Sequence, residues 1–135
     1  MNTKPTGKYF EAVGRRKTAI ARVRLYTDAK NSYDINGKTL EAYFPVKELQ
    51  MTVMDAISKG KPAEKFHVSA KLVGGGISAQ AEAVRHGIAR ALLVYDITLR
   101  GAVKKLGYLK RDPRAKERRK FGRKKARKSP QWSKR

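Results

Sequence analysis

Hydrophobic and polar positions alternate with period two in two stretches of the chain. From Thr18 to Thr27, Ala19, Ala21, Val23 and Leu25 fall on one side, with Arg22 and Arg24 on the other. That pattern predicts a strand with one buried face and one basic, exposed face. Phe66, Val68, Ala70 and Leu72 alternate with His67, Ser69 and Lys71 and predict another. Tyr9 to Val13 reads as a short first strand, and Asn36-Gly37 between Ile35 and Leu40 as a tight hairpin.

Elsewhere the period changes to that of a helix. Pro45 suits a first helical turn. Val46, Leu49, Val53, Met54 and Ile57 then recur at helical spacing until Gly60 and Pro62 end the run. After Gly74-Gly75-Gly76, Ser78 is placed as the N-cap of a long helix. Its apolar stripe is Ile77, Ala81, Val84, Ile88, Leu92, Tyr95 and Leu99, and a shorter helical piece covers Ala102 to Leu106. The predicted order is three strands, a helix, a strand and a helix. This is an α+β sandwich with its helices on one face of the sheet.

Charge changes this picture. The 135 residues hold 33 Lys and Arg against 11 Asp and Glu, a formal net charge of +22. Residues 1–100 carry 17 against 9, and residues 101–135 carry 16 against 2. A quarter of the chain therefore holds nearly two thirds of the excess. After Leu109 only Phe121 and Trp132 are large apolar side chains, too few to offset the entropy of ordering that segment. The expected division is a compact domain over 1–108 and an extended basic tail over 109–135 that orders on a polyanion. Such a charge opposes compaction by self-repulsion, so the partner is expected to be anionic.

Several chemistries are disfavoured. Without cysteine there is no disulfide, thiolate nucleophile or Cys-based zinc site. His67 and His86 lack a ligand partner at metal spacing, so neither a metal nor a cofactor is expected. No run of about 18 apolar residues predicts a membrane span. The polar start from Met1 to Lys8 lacks an apolar signal core, which points to a cytosolic protein. No Ser-His-Asp set or paired acid marks an enzyme or a small-molecule substrate.

The candidate chemistry is therefore phosphate recognition. Arg15, Arg16 and Lys17, after Gly14 and between the first two strands, read as a compact phosphate clamp or a solvated turn. Gly74, Gly75 and Gly76 before a helix have the shape of an anion cradle, or of a plain strand–helix turn. They lack the Gly-Lys-Ser/Thr ending of a nucleotide loop. Arg85 and Arg90 fall off the apolar stripe, as phosphate contacts or as a solvated helix face, and His86 packs at the stripe's edge or hydrogen-bonds RNA. In the tail, Lys110, Arg111, Arg114, Arg118, Arg119, Lys120, Arg123, Lys124, Lys125, Arg127 and Lys128 offer cations interleaved with Phe121 and Trp132. Cations release counterions from RNA, and aromatics stack on its bases.

Four stretches in order resemble the bacterial form of one family, the ninth protein of the small ribosomal subunit. They are Gly14 to Val23; Ile35 to Lys38 with Tyr43-Phe44-Pro45; Gly74 to Gln80 continuing through Arg85 to Leu92; and Arg111 to Arg114 through Glu117 to Gly122 and Lys124 to Arg135. The resemblance implies a two-layer α/β sandwich with a left-handed βαβ crossover, of the type shared with GHMP kinases. The chain is too short for the second half that such kinases need. It also implies a place in the subunit head, on the 3′ major domain of the ribosomal RNA and beside other ribosomal proteins. Ser133, Lys134 and Arg135 would then meet the anticodon stem-loop of P-site tRNA. Ala79 and Glu82 stand where this family commonly has glycine, and Trp132 where it has a smaller aromatic. A nucleoid-type DNA-binding protein is the competing class on charge alone.

Overall fold

The computed structural model describes residues 7–135; the polar start read from Met1 lies mostly outside the described residues. Among the described residues five strands form one sheet: β1 (Tyr9–Arg16), β2 (Ala19–Asp28), β3 (Ser32–Ile35), β4 (Lys38–Thr39) and β5 (Lys65–Val73). Their order across the sheet is β1-β2-β5-β3-β4. Neighbours run antiparallel except β3 and β5, which are parallel. A parallel pair needs a crossover, and α1 (Leu40–Tyr43) and α2 (Lys47–Gly60) supply it. The long α3 (Ile77–Tyr95) follows β5, and a 3-10 turn (Ile97–Leu99) leads into α4 (Arg100–Lys105).

The alternation in β2 and β5 makes this a one-sided sheet. Ala21 lies opposite Leu72, Val23 opposite Ala70 and Leu25 opposite Val68. All six are buried under the helices. Arg22 and Arg24 project from the other face, opposite Lys71 and Ser69. There Arg24 bonds Glu11 at 2.9 Å and lies over the Tyr9 ring. The Asn36-Gly37 hairpin joins β3 to β4 with both residues at positive φ, 51° and 79°, the geometry of the favoured two-residue turn.

Helix α3 sits unusually close to β1, and small residues allow it. A Cβ on Gly14 would stand 1.8 Å from the Ala83 carbonyl oxygen and 2.3 Å from the Gly87 nitrogen. A Cβ on Gly87 would stand 2.6 Å from Val23 Cγ2. The close approach at Gly14 is thus made to a helix backbone. Ala79, Ala83, Ala89 and Ala91 are buried along α3 beside the stripe read from the sequence, whose first residue, Ile77, is exposed.

Several boundaries differ from expectation. β1 runs on to Arg16, leaving only Lys17 and Thr18 in the turn, with Lys17 at φ 50°. Pro45 lies outside α2, whose N-cap is Val46. Helix α3 begins after Gly76, so Ser78 falls inside its first turn and makes no cap bond. Leu99 belongs to the 3-10 turn, because Asp96 ends α3 and accepts from the Thr98 N–H at 2.8 Å.

Candidate nucleic-acid interface

Strand geometry separates the three cations of the proposed clamp. Neighbouring residues in a strand point to opposite faces, so Arg15 projects from the open face and Arg16 from the helix side. Arg16 is held within the chain: its Nε donates to Glu82 at 2.7 Å and its Nη1 to the Arg114 carbonyl at 2.8 Å. Its Nη2 lies 3.3 Å from Asp112, and only 13% of the side chain is exposed. Arg15 and Lys17 remain exposed.

Packing explains two of the three loop glycines. Gly74 and Gly75 have φ of 71° and 69°. A Cβ there would stand 2.7 Å from the Thr18 carbonyl oxygen or from Ala19 Cβ. They hold the loop against the β1–β2 turn. Gly76 faces open space and starts α3 without a side-chain cap. The loop, the Lys17 turn and the start of α3 therefore meet at one end of the sheet.

The root of the tail returns to that same end. Arg15, Arg16, Glu82, Arg85, His86, Tyr108, Lys110, Arg111 and Asp112 line a narrow cleft of about 50 Å³. The Arg85 guanidinium lies 4.7 Å from the Tyr108 ring centre, and the Tyr108 hydroxyl donates to Asp55 at 3.2 Å. Arg90 Nη1 donates to the Val13 carbonyl at 2.5 Å. Asp112 accepts from the Arg114 backbone and guanidinium, and those bonds, with the charges of Arg114 and Arg16, hold its carboxyl well below the usual carboxylate range.

His86 closes the cleft as a neutral ring. Its Nδ1 accepts the Arg15 backbone N–H at 3.2 Å. Burial lowers its pKa most, and the nearby Arg90 and Arg111 add to that, outweighing a hydrogen bond to the Leu109 backbone that favours the charged ring. The folded state therefore binds fewer protons than the unfolded chain. Stability from this site is complete above the ordinary histidine value of about 6.5 and is lost as pH falls below it. His86→Asn supplies an acceptor that does not titrate. Its melting temperature should vary less between pH 7.5 and 5 than that of the parent; an equal slope would exclude His86 as the cause.

Beyond Arg114 the tail has no regular element, and Phe121 and Trp132 are 100% and 77% exposed. Lys110, Arg111, Arg118, Arg119, Lys120, Arg123, Lys124, Lys125, Lys128 and Ser133 to Arg135 are exposed too. Sequence reading missed Glu82, Tyr108 and Asp112, which attach the tail root to the domain. A signal existed for Asp112, since it is one of only two acids among residues 101–135.

A domain with a cationic end and a long cationic tail rooted there matches one known family along residues 14–135, described as Ribosomal protein S9/S16. The chain belongs to this ribosomal protein family. It is 48% identical over 128 residues to the small ribosomal subunit protein uS9 of Desulfovibrio desulfuricans, covering 95% of this chain and 98% of that protein. It is 50% identical over 124 residues to uS9 of Lawsonia intracellularis, covering 92% and 95%. The S9/S16 protein is a structural, non-enzymatic component of the small subunit in the cytoplasmic ribosome, an RNA-binding constituent of the translation machinery.

Proposed function

We propose that the compact part, 1–108, binds ribosomal RNA of the subunit head within the 3′ major domain. The tail, 109–135, orders along that RNA and brings Ser133, Lys134 and Arg135 to the anticodon stem-loop of P-site tRNA. The carrying observation is the root of the tail, where Arg16 bonds Glu82, Asp112 and the Arg114 carbonyl at the end that bears Lys17 and Gly76. A tail leaving from there continues one cationic surface. Arg15, Lys17, Arg85, Arg111 and the tail cations act as phosphate contacts, whereas Arg16 acts by holding the tail root. In this reading the β3–β5 connection has the left-handed crossover of the family, and other proteins of the head are neighbours.

A terminal Lys-Arg pair contacts phosphates without reading sequence, which suits a site that must accept every tRNA. Removing Ser133 to Arg135 should leave assembly of the small subunit intact and speed tRNA dissociation from the P site about tenfold. That corresponds to one charge-assisted contact of about 1.5 kcal/mol. Unchanged dissociation in fully assembled mutant subunits would reject the tRNA contact.

A further inference from the structure

The tail contains a closed loop that its composition alone would not produce. Six cations, Arg118 to Lys120 and Arg123 to Lys125, repel one another and favour an extended chain. Yet Arg127 reaches back to Glu117, with Nε donating at 2.9 Å and Nη2 at 2.5 Å to the two carboxylate oxygens. This is the bidentate geometry that is strongest for an arginine–carboxylate pair. Two backbone bonds reinforce the closure, from the Lys124 and Lys125 N–H groups to the Lys128 carbonyl at 2.9 and 3.3 Å. Gly122 turns the chain at φ 69°. Beside that turn stands Phe121, fully exposed.

Both tail acids are thus used as clasps, Asp112 at the root and Glu117 across the loop. The second clasp holds an apolar ring outward between two groups of three cations. An apolar protein groove would have to accept six desolvated charges with that ring. A single-stranded segment of a polyanion supplies phosphates for the cations and a π-face for the ring. We infer that residues 117–127 form a binding element for an unpaired RNA base, with Phe121 as the stacking platform and the Glu117–Arg127 clasp as its support. This rests on the reading of the chain as RNA-binding and assigns one loop a preference for unpaired over paired RNA.

The test uses the full chain and two RNA hairpins that differ only in one unpaired adenine, compared at a fixed salt concentration near 0.15 M. The parent should favour the bulged hairpin. Phe121→Ala should lose that preference by about 5- to 150-fold, the range for one base–aromatic stack, and Phe121→Trp should keep it. Glu117→Gln opens the clasp and raises the net charge by one. Its affinity for the paired hairpin should therefore hold or rise while the preference for the bulge falls. A preference unchanged in Phe121→Ala, or equal gains on both hairpins in Glu117→Gln, would overturn the inference and leave the loop a diffuse cationic contact. Salt-insensitive or absent binding of either hairpin by the parent would overturn the wider RNA reading with it.

Discussion

Gly14→Ala should destabilise the domain severely, although it adds a single methyl group. The new Cβ would meet the Ala83 carbonyl oxygen at 1.8 Å and the Gly87 backbone at 2.3 Å. Backbone atoms cannot rotate away as a side chain does, so α3 would have to lift from β1. Extra methylenes in tight cores cost about 1–3 kcal/mol and sometimes more. Here the Cβ is fixed by its own backbone and meets main-chain atoms, and a loss of about 3 kcal/mol or more is expected, a large share of the stability of a small domain. Urea denaturation monitored by circular dichroism measures it. Gly101→Ala is the control, because its Cβ would meet nothing within 4 Å and the residue lies in α4. That change should be neutral or stabilising by up to about 1 kcal/mol. A Gly14→Ala midpoint within error of the parent would mean that α3 has room to shift.

The same glycine shows where sequence reading loses its hold. The alternation in β2 and β5 was legible because one face meets helices and the other is open, so every second residue is forced apolar. β1 breaks the rule on its inner face, where Phe10, Ala12, Gly14 and Arg16 follow one another. Gly14 is there for the closeness of α3, and Arg16 because Glu82 and Asp112 meet it. Neither reason is local, and Gly14-Arg15-Arg16-Lys17 therefore reads as one polar turn when all but Lys17 is strand. Gly74 and Gly75 mislead in the same way, since their partners are Thr18 in the β1–β2 turn and Ala19 at the start of β2. Ser78 reads as a cap by residue type, but the extended backbone of Gly76 already begins the helix.

The interface divides along the same line. Charge content and its bias toward the last quarter are additive properties of composition, so the anionic partner was legible. Which cations are free is a property of the acids, and those are few enough to be decisive. Glu82 and Asp112 remove Arg16 from the exposed set, and Glu117 ties Arg127. The acids thus order the root and middle of the tail while leaving most of its cations exposed.

Ending the chain after Arg114 should separate folding from RNA affinity. The truncation keeps Tyr108, Leu109, Asp112 and Arg114, the residues that attach the tail root to the domain. It removes Lys116 and ten later Lys and Arg with one acid. The melting temperature should stay near that of the parent, since no buried core residue lies beyond Val103. Binding to ribosomal RNA should weaken strongly, because each lost phosphate contact lowers the slope of log affinity against log salt by about 0.7–0.9. If even half of the removed cations make contacts, the slope should become shallower by about 4. Affinity near 0.1 M salt should then drop by about a thousandfold or more. Measuring the slope, rather than one affinity, keeps charge neutralisation apart from stacking by Phe121 and Trp132, which depends weakly on salt. A slope that falls by less than 1 would place the phosphate contacts on the domain, at Arg15, Lys17 and Arg85, and leave the tail a minor part of the interface.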